Sequence, residues 1–176
     1  MSLLIVSASL NSESNSRLLA REAERVLHAD GLDVTLLDLR ELPLPVCDGE
    51  KAYSDPNVLQ ADKLVAGADG IIVATPIYNY DANAAAKNLV ELTGRAWTNK
   101  TVAFLCSAGG HSSYMSIMAL ANSLMLDFRC VIVPRFVYAT GEAFSGDKIT
   151  DSTIVARVAE CARATARLAA AVKSAS

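Results

Sequence analysis

Residues 71–74, Ile-Ile-Val-Ala, are apolar without alternation. A strand with one wet face alternates between apolar and polar side chains, whereas a strand covered on both faces of a parallel sheet reads as a continuous apolar run. That run constrains the chain toward a layered α/β fold, in which helices cover both faces of a sheet. Pro76 cannot donate to a sheet ladder and pushes Thr75 toward an extended conformation. The strand is therefore expected to stop at Pro76, with the chain leaving the sheet at its carboxyl edge. Tyr78, Asn79 and Tyr80 follow at once, at the edge where open α/β sheets bind ligands. Their flat apolar faces and polar tips suit a planar heteroaromatic ring. The alternative is ordinary packing of the two tyrosines under a loop.

The rest of the chain repeats this alternation of strand and helix. Residues 3–7 and 34–39 read as strands rich in Leu, Val and Ile. Between them, residues 16–30 carry Leu19, Ala23, Val26 and Leu27 as a helical stripe opposite Arg21, Glu22 and Arg25. Pro43, Pro45 and Gly49 mark residues 41–55 as an irregular connection, and Pro56 starts a helix running to residue 68. A third helix is expected over 84–96 with Asn83 as N-cap. A fourth strand follows over 102–107, then a helix capped by Ser112 or Ser113 and running to about residue 126. Residues 131–133 read as a short fifth strand ended by Pro134, and 151–172 as the last helix. Five strands alternating with five helices through right-handed crossovers make a doubly wound, flavodoxin-like parallel sheet of order 2-1-3-4-5, with helices on both faces.

A length of 176 residues accommodates one full core, so residues 1–176 are expected to form a single domain. The net charge of -3 offers no general attraction for nucleic acid or an anionic membrane. The apolar start lacks a basic leader and is too short for a signal core, and later apolar runs are interrupted within fewer than about 18 residues. A soluble, cytoplasmic protein is expected. Cys47, Cys106, Cys130 and Cys161 lie far apart without a C-x-x-C pair, and His28 and His111 have no partners at ligand spacing. Reduced core thiols and no metal site are the expectation.

In the expected topology, the loops after strands one, three and four open at the same edge. The first, Ala8-Ser9-Leu10-Asn11-Ser12-Glu13-Ser14-Asn15-Ser16-Arg17, feeds hydroxyl and amide side chains into a helix N-terminus. Free amides and the helix dipole favour an anion there, so a phosphate is the natural guest. The plainer alternative is a cap, Ser14 or Asn15, with the other side chains solvated. After strand four, Ser107, Ala108, Gly109 and Gly110 form a turn whose glycines let backbone come close to a ring. A phosphate cradle, an aromatic shelf and a glycine turn together point to flavin mononucleotide (FMN), its phosphate in the first loop and its ring between the other two.

The segment ADGIIVATPIYNYDANAAAKNLVEL, with its P-x-Y-N followed by Lys-Asn, resembles the NAD(P)H-dependent FMN reductase family of flavodoxin-like flavin, quinone and chromate reductases. SASLNSESNSRLLA resembles the family's phosphate loop and SAGG its glycine turn. The resemblance implies a phosphate held around Ser9, Asn11, Ser14, Asn15 and Ser16. It also implies an isoalloxazine held by Pro76, Ile77, Tyr78, Asn79, Tyr80 and by Ser107, Ala108, Gly109 and Gly110. NADH or NADPH would be a transient hydride donor, the acceptor a small molecule, and the assembly a homodimer or homotetramer. Three departures stand out: Asn11 where many members carry Arg, Ile77 where Glu is frequent, and Asn83-Ala84 where Pro-Gly or a similar pair is common. No catalytic acid or base is expected, because the cofactor carries the chemistry.

Rival readings fare less well. A flavodoxin-type carrier would show a Thr-rich T-x-T-G-x-T loop and strong acidity. A receiver domain would need acids where Ser7-Ala8 and Thr75 stand and a Lys where Pro134 stands. A nicotinamide-binding Rossmann domain would need G-x-G-x-x-G after a strand. A flavin-free interaction module of the same fold stays open, given Asn11. Residues 115–126 are apolar nearly all round. Either a second subunit covers Met118, Leu124 or Met125, or the segment 135–150 does. Within it, residues 135–148 could form a lid or a wall of the acceptor site, though surface loops of this kind are more often structural.

Overall fold

The computed structural model describes residues 1–175. In chain order its elements are β1 (Ser2–Ser7), α1 (Asn15–Ala29), β2 (Asp33–Asp38), α2 (Pro56–Gly67), β3 (Gly70–Tyr78), β4 (Asp81–Ala82), α3 (Ala84–Thr93) and β5 (Thr101–Ala108). There follow α4 (Met118–Phe128), β6 (Val131–Ile132), β7 (Val137–Thr140), the hairpin strands β8 (Phe144–Ser145) and β9 (Lys148–Ile149), and α5 (Ser152–Ala175). The parallel sheet runs β2-β1-β3-β5, with β6 and β7 sharing the fifth position beside β5. Counting long strands, this is the order 2-1-3-4-5 expected of a flavodoxin-like doubly wound fold.

The lack of alternation in the strands has a direct cause. Leu4, Val6, Ile71, Val73, Val102 and Phe104 pack on one face beneath α2, α3 and α4. Leu3, Ile5, Ile72, Ala74, Ala103 and Leu105 pack on the other beneath α1 and α5. Consecutive side chains point to opposite faces, and both faces are dry. Gly70 opens β3 where α5 comes close: a Cβ there would lie 2.9 Å from Leu3 Cδ2 and 3.0 Å from Ala169 Cβ.

Several expectations need correction. β3 does not stop at Pro76 but continues to Tyr78, with Pro76 opposite Ser107 of β5. The Pro76 carbonyl accepts from the Asn83 amide, on the side where β1 has already ended, so the missing proline N–H breaks no ladder bond. Pro134 interrupts the fifth strand without ending it. Arg135 takes a left-handed φ of 59°, after which β7 resumes pairing opposite Leu105–Ala108. Helix α3 ends at Thr93 and passes into a 3₁₀ turn, Gly94–Trp97, three residues short of the expected end. Ser112 and Ser113 do not cap α4. They lie in a 3₁₀ turn, and α4 begins at Met118 without a side-chain cap. The reason is tertiary: the Tyr114 ring stacks on Phe136 at 4.9 Å and meets Tyr138 edge-on at 5.5 Å, which holds this stretch off the helix. Leu124 is fully buried within its own chain, so it is not available to a second subunit; Met115, Met125 and Leu126 are the exposed apolar residues here.

Candidate functional site

The carboxyl ends of β1, β3 and β5 bring their loops to one edge, around a cavity of about 640 Å³. Its walls include Ser9, Asn11, Ser14 and Asn15 from the first loop, Pro76, Ile77, Tyr78 and Asn79 from the second, and Ser107, Ala108 and Gly109 from the third. Three of the residues singled out in the sequence stand off this wall. Ser16 is buried, its hydroxyl 3.0 Å from Ser14 Oγ. Tyr80 is 66% exposed at a turn tip, and Gly110 sits behind Gly109 with its carbonyl accepting from the Tyr138 hydroxyl. Glu13 and Gly141 line the cavity without having been expected there.

The first loop combines both roles considered for it. Ser14 is the N-cap of α1, its Oγ accepting from the Arg17 amide at 3.2 Å. Four of the loop carbonyls are held by side chains of the fold. Asn83 Nδ2 donates to the Ala8 carbonyl at 2.7 Å. Arg17 donates to the carbonyls of Ser9 (3.0 Å), Asn11 (2.8 Å) and Ser12 (3.3 Å). The Arg17 guanidinium completes its set with Asp38, through Nε at 2.6 Å and Nη2 at 3.3 Å. Among the described residues, the amides of Ser12, Ser14, Asn15 and Ser16 have no protein acceptor. Successive free amides at a helix N-terminus form an anion-binding concavity.

The second loop is a hairpin turn. Tyr78 pairs with Asp81 and Ile77 with Ala82, and the two turn residues, Asn79 and Tyr80, have φ of 51° and 64°. Two positive φ angles in a two-residue connection are the mark of a type I′ turn. Asn tolerates that backbone; Tyr at the second position is strained. The buried Asn83 pins the base of the turn: its Oδ1 accepts from Thr75 Oγ1 at 2.9 Å and caps α3 through the Ala86 amide at 3.3 Å. In the third loop, the Tyr114, Phe136 and Tyr138 cluster backs the glycine turn.

Glu13 is the one charged side chain on the cavity wall among the described residues. Three of the four cysteines are buried away from the cavity, and burial pushes the thiols of Cys130 and Cys161 up to about 11 and that of Cys106 higher still. They remain neutral core side chains at neutral pH.

Sequence reasoning missed the residues that hold the cavity rather than line it: Arg17, Asp38, Asn83 as a strut, and Tyr138. One signal was available. A cation in the first turn of a helix opposes the helix dipole, so Arg17 needed a partner. The donor set fits FMN: free amides and Ser and Asn side chains for a phosphate, and a flat wall of Pro76, Ile77 and Tyr78 opposite the β5 turn for a ring. The volume lies in the roughly 300–1,000 Å³ range of small-molecule sites.

The family described as NADPH-dependent FMN reductase matches residues 1–145. An NAD(P)H-dependent FAD/FMN reductase of Geobacillus thermodenitrificans is 29% identical over 144 residues, spanning 80% of this chain and 77% of the relative. Among solved structures, the flavoenzyme NAD(P)H:acceptor oxidoreductase FerB of Paracoccus denitrificans superposes with a TM-score of 0.77 at 18% identity, over 96% of each chain. A flavodoxin from the domain Archaea superposes with a TM-score of 0.62 at 15% identity, covering 98% of this chain and 99% of the other. The structural likenesses establish a flavodoxin-like fold, and the sequence match places the chain in the NADPH-dependent FMN reductase family, whose members are flavin-dependent NAD(P)H oxidoreductases.

Proposed function

We propose that this protein uses FMN to take hydride from NADH or NADPH and passes the electrons to a small acceptor such as free flavin, a quinone or a metal oxyanion. The observation that supports this most is the convergence of three loops on one cavity, lined by Ser and Asn residues of the first and by Pro76, Ile77 and Tyr78 of the second. When bound, FMN would supply a ring that accepts hydride at N5 and releases electrons onward. Ser9, Asn11, Ser14 and Asn15, with the free loop amides, would hold the phosphate. Pro76, Ile77, Tyr78 and Asn79 would form one wall of the ring site, and Ser107, Ala108 and Gly109 the other. The exposed Tyr80 and Tyr78 stand where nicotinamide and acceptor would arrive in turn. The protein's contribution is orientation and hydrogen bonding; no side chain is assigned as a catalytic acid or base.

This reading includes a single-domain enzyme that works in the cytoplasm, where four free cysteines are at home. It also includes a homodimer or homotetramer. The exposed Met115, Met125 and Leu126 beside and on α4 support self-association, and light scattering tests it: a strictly monomeric protein removes this part. No helix is long and apolar enough to cross a membrane among the described residues. The functional test is direct. FMN-loaded protein is mixed with NADH or NADPH and menadione, ferricyanide or free flavin. Oxidation of the nicotinamide with at least one acceptor is expected; none with any would refute the reading.

A further inference from the structure

Among the described residues, the cavity wall that would receive a phosphate includes no Lys or Arg, although Arg17 lines the adjoining cavity, which shares Glu13, Ser14 and Asn15 with it. A guanidinium has five N–H donors in a fixed fork, and here all are occupied: Asp38 Oδ2 and Oδ1 on one side, the carbonyls of Ser9, Asn11 and Ser12 on the other. The residue is 7% exposed. Arg17 therefore has no donor left for a ligand. What it does instead is fix the sense of the loop. With the carbonyls of Ser9, Asn11 and Ser12 bonded to the guanidinium, and that of Ala8 to Asn83, these four carbonyl oxygens are held in place and the peptides that carry them cannot flip toward an anion. Among the described residues, the amides of Ser12, Ser14, Asn15 and Ser16 have no protein acceptor. Asp38, at the end of β2, anchors the fork to the rigid sheet.

We propose that Arg17, anchored by Asp38, is the positioning residue that makes the site selective for a phosphorylated flavin over riboflavin, acting through the loop backbone and not by touching the phosphate. This rests on the flavin reading above. The clamp matters because Glu13, an acidic residue, lines the same cavity and its charge opposes an anion, so the loop amides must outweigh it. Were the loop free to flip one peptide, a carbonyl would replace an amide and the cradle would lose its sign.

The test is a pair of titrations, FMN and riboflavin, followed by quenching of flavin fluorescence. Wild-type protein is expected to bind FMN at least about tenfold more tightly than riboflavin, the equivalent of one hydrogen bond to a charged group. Arg17→Lys keeps the positive charge but cannot span Asp38 and three carbonyls. It is expected to weaken FMN about tenfold or more while riboflavin affinity stays within about twofold. Equal loss for both flavins would mean Arg17 is general scaffold, and an unchanged FMN affinity in Arg17→Lys would mean that charge alone suffices; either overturns the proposal. Should Arg17→Lys fail to fold, Asp38→Asn loosens the anchor with less change, and the same fall in the FMN-to-riboflavin ratio is expected; an unchanged ratio overturns the proposal. Wild-type protein that binds both flavins equally refutes the clamp alone. Wild-type protein that binds neither refutes the flavin reading and the clamp with it.

Discussion

Replacing Asn83 with Ala removes more than a helix cap. Its Nδ2 donates to the Ala8 carbonyl at 2.7 Å, and its Oδ1 accepts from Thr75 Oγ1 at 2.9 Å and from the Ala86 amide at 3.3 Å. The side chain thus ties the end of β1 to the end of β3 and to the start of α3. Loss of an N-cap costs about 1 kcal/mol, and an acceptor stranded in the interior costs about 1–3 kcal/mol more. Asn83 is 6% exposed, so water has little access to the orphaned Ala8 carbonyl. The expected loss for Asn83→Ala is therefore roughly 2–4 kcal/mol. At about 2–4 °C per kcal/mol for a chain of this size, Tm should fall by roughly 5–15 °C. Urea unfolding followed by circular dichroism gives the free energy, and calorimetry the Tm. Asn83→Asp sharpens the result, since it keeps the cap acceptor but sets a carboxylate oxygen against the Ala8 carbonyl. It too should destabilise, by more than about 1 kcal/mol. If Asn83→Asp matches wild type and Asn83→Ala loses only about 1 kcal/mol, Asn83 is an ordinary cap and the tie between the two loops is refuted.

Tyr80→Gly should stabilise the protein by about 1 kcal/mol, because Gly accepts the 64° φ that strains a tyrosine; a lower urea midpoint would contradict this. Gly70→Ala should destabilise by roughly 1–3 kcal/mol, as its Cβ would meet Leu3 and Ala169 at 2.9 and 3.0 Å; an unchanged Tm would show that α5 can shift freely. Burial raises the Cys161 thiol from 9.0 to about 11. A group whose folded value is raised keeps its full contribution below the unfolded value and loses it as pH climbs through the folded one. Stability should therefore fall between pH of about 9 and 11, by on the order of 2 kcal/mol for Cys161 alone. Cys161→Ala should flatten the pH dependence of the urea midpoint, and equal slopes in the two proteins would refute the assignment.

What could be read from sequence follows from the range of the interactions involved. The Ile71–Ala74 run, the α1 stripe of Leu19, Ala23, Val26 and Leu27, and the Pro56 helix start are local patterns imposed by burial on one or both faces, and the structure matches them. Pro76 misled because a lost donor interrupts a strand only where a neighbour would have accepted it, and β1 has ended by that point. The start of α4 misled because the Tyr114 and Phe136 stack, between residues 22 apart, outweighs the capping preference of Ser112 and Ser113. The cavity wall was largely legible, since loops at one sheet edge follow from topology. Its supports were not: Arg17 reaches Asp38 across 21 residues, and Asn83 reaches Ala8 across 75. No local pattern encodes those pairings, and Gly141 enters from the 135–148 segment, for which sequence left a functional and a structural reading side by side.

Hydrogen–deuterium exchange with and without FMN tests most directly whether three loops on one sheet edge act as a single flavin site. The expected result is slower exchange on FMN addition at residues 9–16, 76–80 and 107–110, and around Gly141, with the rest of the sheet unchanged. Protection confined to one loop, or appearing elsewhere on the molecule, would contradict it.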